Sequence, residues 1–76
     1  MASKRHIELQ VDWHPSGNLT LKERAVGEMF WTDVKGLLGK RDAASFYRSV
    51  ALRLADYASQ GIVVEKYMDA GPHDIS

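Results

Sequence analysis

Between His6 and His14 apolar and polar residues alternate one for one. Ile7, Leu9, Val11 and Trp13 point one way, and His6, Glu8, Gln10, Asp12 and His14 the other. A period of two is the signature of a half-buried strand. Pro15-Ser16-Gly17-Asn18 then breaks the pattern. Beyond it the period lengthens. Val26, Met29, Phe30, Val34, Leu37 and Leu38 gather on one side of a helix, Ala25 and Trp31 lie at its margins, and Arg24, Glu28, Thr32 and Lys35 lie opposite. Thr20 and Glu23 have capping-box spacing, and Gly39 suits a helix stop, so this stretch predicts a first helix. A rival reading makes Leu19 to Lys22 a second strand in a hairpin with the first, which would set Leu19 and Leu21 on one sheet face.

A second helix is predicted from Asp42, a good N-cap, to Gln60, with Gly61 as its stop. Its apolar side has a bulky half, Phe46, Val50, Leu54 and Tyr57, expected to face the sheet. The adjacent small half, Ala44, Ala51, Ala55 and Ala58, is where another helix is expected to cross. Leu52 is out of place among Arg41, Arg48, Ser45, Ser49, Asp56 and Ser59 on the remaining side. Ile62-Val63-Val64-Glu65-Lys66-Tyr67 reads as a closing strand. The pattern thus predicts one α+β domain over 6–68, with flexible segments at 1–5 and 69–76. Its architecture is a two-helix hairpin on a small antiparallel sheet in the order β-α-α-β, with β-β-α-α-β as the alternative. Two strands leave both sheet edges open, so homodimerisation is expected, through an edge or through Ala44, Ala51 and Ala55.

Composition sharpens this picture. At 76 residues a single core gives marginal stability, and with no cysteine neither disulfides nor a thiolate metal site can supplement it. Association with a partner is the remaining supplement. Ten basic residues balance ten acidic ones, which gives no whole-molecule attraction to nucleic acid or anionic membrane. Apolar runs stop at three residues, too short for a membrane span or a signal core, so the expectation is a soluble cytoplasmic protein with no membrane role.

The candidate chemistry is sparse. His6, Glu8, Asp12 and His14 are ligand and acid/base types, but neighbours on one strand face stand roughly 7 Å apart and cannot converge on a metal by themselves. Ser45, Ser49 and Ser59 have no sequence pattern placing a base beside them, and the six glycines form no phosphate-cradling loop. The expectations are no catalytic residues, no cofactor and no metal. Asn18-Leu19-Thr20 matches a glycosylation sequon that, without an export signal, reads as coincidence. Lys40, Arg41, Arg48 and Arg53 make the best basic patch, in which Arg41 and Arg48, seven apart, share a helix face and Arg53 points elsewhere. They support the alternative function, a dimeric nucleic-acid-binding regulator using the Arg41 and Arg48 face. The leading expectation is a non-enzymatic protein-binding module, an inhibitor, adaptor or regulator engaging its partner through Trp31, Tyr47, Arg48 and Leu52, aromatic anchors beside arginine. Its size is one shared with small cofactor-free inhibitors from phages and other mobile elements.

Overall fold

The architecture comes from a computed structural model that describes residues 5–69. The alternating stretch forms β1 (His6–Trp13), and the chain turns at Gly17 into β2 (Leu19–Ala25). A loop leads to the two-residue β3 (Thr32–Asp33), then come α1 (Ala43–Ser59) and β4 (Val63–Asp69). The four strands make one sheet in the order β3-β2-β1-β4, with β1 central and β4 at one edge.

The first predicted helix is not formed. The rival hairpin is: β1 and β2 pair antiparallel from Ile7↔Ala25 to Trp13↔Leu19, and Leu19 and Leu21 lie fully buried on one face. Two glycines oppose a helix through this stretch. Gly27 and Gly36 have φ of 94° and 87°, in the left-handed region that a right-handed helix cannot use. Nor does Thr20 cap anything. Its Oγ1 accepts the Gly39 N–H at 2.9 Å and ties the returning chain to β2. Among the described residues the fold is therefore α+β with one helix and a mixed sheet, and neither β-α-α-β nor β-β-α-α-β describes it. The expected antiparallel pairing of the first and last strands is also corrected, since β4 runs parallel to β1. With one helix between β3 and β4, the chain makes a crossover that brings β4 back in the direction of β1.

The second predicted helix and the closing strand are present. Asp42 caps α1, its side chain accepting the Ala44 N–H at 3.1 Å. Phe46, Val50 and Tyr57 are buried against Ile7, Leu9, Val11, Leu19 and Leu21, and Leu54 packs at the margin, so the bulky half of the helix meets the sheet. Val34 and Leu37 complete this core. Ala44, Ala51, Ala55 and Ala58 are exposed; no second helix crosses them among the described residues. Residues 32–40 run beside β2 and cover its outer edge. Backbone bonds join Val34 to Leu21 (2.8 Å), Leu21 to Leu37 (2.9 Å), and Leu19 to Lys40 in both directions (2.7 Å). The expected flexible segments 1–5 and 69–76 fall almost wholly outside the described residues.

Candidate functional site

The helix covers one face of the sheet, and the other face is open and polar. Even-numbered residues of β1 and β2 line it, because alternation sends Ile7, Leu9, Leu19 and Leu21 to the core side. At its centre Glu8 is 8% exposed. Arg24, its cross-strand partner, places Nε 2.7 Å from one carboxylate oxygen, and Lys66 Nζ lies 3.9 Å from the other. The Arg24 guanidinium in turn stacks on the Trp31 ring, 4.3 Å from the centroid. A buried carboxylate thus fixes an arginine, and the arginine fixes a tryptophan.

That tryptophan ends the most apolar exposed segment among the described residues. Residues 26–31 connect β2 to β3, anchored at the base by Val26 N–H to His6 O (3.0 Å) and Glu28 N–H to Ala25 O (2.9 Å). Met29 is 78% exposed and Phe30 80%. In the helical reading both belonged to the core. The loop presents them to solvent because the chain must reverse between β2 and β3, and the core side of the hairpin is already filled by Val34 and Leu37. The signal available in the sequence was Gly27, two residues before Met29.

The other residues expected to bind a partner are not brought together with Trp31. Tyr47, Arg48 and Leu52 are carried by α1, on the opposite side of the sheet. Tyr47 is half-buried, edge-on to Phe46 with ring centroids 5.2 Å apart, and its hydroxyl donates to Asp69 Oδ2. Trp13 Nε1 donates to the other Asp69 oxygen at 3.0 Å. Burial, then the hydrogen bond and the negative charge of Asp69, push the Tyr47 hydroxyl up to about 12. Leu52 is 68% exposed and rims a shallow groove of about 270 Å³ shared with Lys35, Gly36, Leu37, Ser49 and Arg53. Arg53 donates to Lys35 O at 2.9 Å across this lining.

Lys40, Arg41 and Arg48 are all exposed. Arg41 precedes α1, so it and Arg48 do not share a helical face as their spacing suggested. Polar residues of β1 and of the turn after it find local partners: His6 Nδ1 is 3.5 Å from Glu65, Asp12 is 3.8 Å from Lys22, and His14 bonds Ser16 at 2.8 Å. Among the described residues no three His, Asp or Glu side chains cluster as a metal site, and no helix is long and apolar enough to cross a membrane. Compared with known proteins, the chain matches no family model, no curated protein and no solved structure.

Proposed function

We propose that this chain is a small, non-enzymatic protein-binding module whose principal contact is the loop at residues 26–31. One observation carries the reading: Met29 and Phe30 stand almost fully exposed beside a Trp31 that is already held in place by Arg24 and Glu8. Large apolar side chains left in water cost free energy that burial in a partner recovers, at ~25 cal/mol per Å² of apolar surface. Aromatic and Met side chains beside arginine are the composition of binding hot spots, and an anchor fixed before binding loses less entropy on binding. Two large apolar side chains this exposed suit a protein partner with an apolar pocket to receive them. Glu28 within the loop and the neutral balance of the chain speak against an anionic membrane. The partner would be inhibited, bridged or regulated by occupancy of that pocket.

The test is affinity capture from lysate of the natural host, with nuclease treatment, comparing the native chain with a Met29→Ser/Phe30→Ser double variant. The native chain should retain a stoichiometric protein, and the variant should lose it while keeping its melting temperature, because neither residue is in the core. Equal recovery by both chains would reject the loop as the contact. Recovery that disappears on nuclease digestion would instead favour nucleic acid and direct attention to Lys40, Arg41 and Arg48.

A further inference from the structure

The two edges of the sheet are finished differently. The outer side of β2 is covered by residues 32–40. β4 is an edge strand of seven residues, and among the described residues nothing pairs with the outer side of 63–68. Open edges of this kind are templates for another strand. Tyr67 and Met68 remain 41% and 40% exposed there.

What fits this edge follows from an irregularity in the strand. Ile7 pairs with Val64, but the next residue, Glu8, pairs with Lys66, so Glu65 is an inserted bulge residue. Glu65 reaches His6 at 3.5 Å and Lys66 reaches Glu8 at 3.9 Å. His6 and Glu8 share the open face of β1, so Glu65 and Lys66 both turn to that face. Around them Val64 and Tyr67 pair with the core-facing Ile7 and Leu9, and Val63 and Met68 pair with His6 and Gln10 on the open face. Read from Val63 to Met68 the faces run open, core, open, open, core, open. That order is the same in both directions.

We propose that β4 pairs antiparallel with β4 of a second copy of this chain, about a two-fold axis between Glu65 and Lys66. Val63 then lies opposite the partner's Met68, Val64 opposite the partner's Tyr67, and Glu65 opposite the partner's Lys66, with the same three pairs repeated across the axis. Opposing side chains in an antiparallel ladder must share a face, and with the bulge all six do. Without it, these pairings would set open-face residues against core-face ones. The central pairs are of opposite charge and the flanking pairs are apolar, so one strand is complementary to itself in both shape and charge. A bulge on an edge ordinarily hinders pairing. Here it brings the faces into agreement. The result is a continuous eight-stranded sheet with both helices on the same face. Residues 26–31 lie across β1 from this edge and remain free, so the dimer stands or falls independently of the loop's function.

Native mass and sedimentation across a dilution series, from hundreds of micromolar to hundreds of nanomolar, should show a monomer–dimer equilibrium. Glu65→Lys places lysine opposite lysine twice and should weaken the dimer about tenfold, the free-energy equivalent of two disfavoured cross-strand pairs. The register is read with cysteines, which the chain lacks. In Val63→Cys/Met68→Cys the two positions of one chain lie roughly 16 Å apart along the strand and cannot join each other. On mild oxidation this variant should give a covalent dimer, whereas Val63→Cys alone should not. A monomer at every concentration overturns the proposal. So does a dimer that is indifferent to Glu65→Lys and does not cross-link through this cysteine pair.

Discussion

Three tyrosines hold their protons more tightly in the fold than in the unfolded chain. Burial raises each of them first. The Tyr57 hydroxyl then donates to Glu23 at 2.8 Å, that of Tyr47 donates to Asp69, and Tyr67 lies in the field of Asp69. A group with a raised folded pKa contributes stability that is complete below its unfolded value and is lost as pH rises through the folded value. The unfolded value for tyrosine is about 10. We therefore expect the melting temperature to be insensitive to these groups up to about pH 9 and to fall between about pH 10 and 12. Tyr47→Phe, which cannot ionise, should make that fall shallower; an unchanged or steeper slope would show that Tyr47 ionises freely in the native state. The Glu8 carboxylate is buried against the Arg24 guanidinium. Arg24→Ala leaves the carboxylate buried with only the distant Lys66 and should cost about 1–3 kcal/mol, whereas Glu8→Gln, which keeps a hydrogen-bonding group opposite Arg24, should cost less. Urea unfolding of the two variants checks the order. Loss of the Arg24 guanidinium should also change Trp31 fluorescence.

The elements differ in how plainly their causes are written in the chain. α1 was legible from end to end, because the Asp42 cap, the spacing of Phe46, Val50, Leu54 and Tyr57, and Gly61 all agree. The cap's contribution is direct: Asp42→Ala should destabilise by about 1 kcal/mol in thermal or urea unfolding, since Ala44 N–H then loses its acceptor. β1 and β4 were legible for the same reason, each having one dominant signal. The stretch from Leu19 to Leu38 held two competing signals. Leu19, Leu21 and Glu23 alternate as a strand, and Val26 to Leu38 repeat as a helix. The helical repeat was misleading because it spans Gly27 and Gly36, whose left-handed φ lets the chain reverse twice within it. The misreading carried over to the candidate site. The marginal position of Trp31 singles it out in the sequence, but the helical spacing places Met29 and Phe30 in a helix core, and only the loop turns them outward. The bulge at Glu65 had no signature at all in the sequence, since it shows only when β4 is set against β1.

For the whole molecule, the central strand draws its two neighbours from opposite ends of the chain. β2 follows β1 through a short turn, but β4 arrives only after the helix, so His6↔Val63 and Trp13–Asp69 are contacts between residues more than fifty positions apart. Closing such contacts is entropically expensive, and they make folding depend on the entire chain. β4 also adds to what α1 rests on, because Val64 packs at the margin of the core and Tyr47 is tied to Asp69. A chain ended at Gly61 would keep the β1–β2 hairpin and the helix sequence but would expose the side of β1 that β4 covers. Hairpins and single helices are marginal in water by themselves. We expect this truncated chain to lose its cooperative thermal transition and to give narrow amide-proton dispersion. A sharp transition within a few degrees of the native one would mean instead that β1, β2 and α1 form a sufficient core, with β4 as an appended strand. In the full chain, hydrogen exchange should then be slowest along β1, the strand with a paired neighbour on each side, and faster along β4 when the protein is dilute. Protection of β4 that grows with concentration would tie the stability of the edge to its pairing with a second copy.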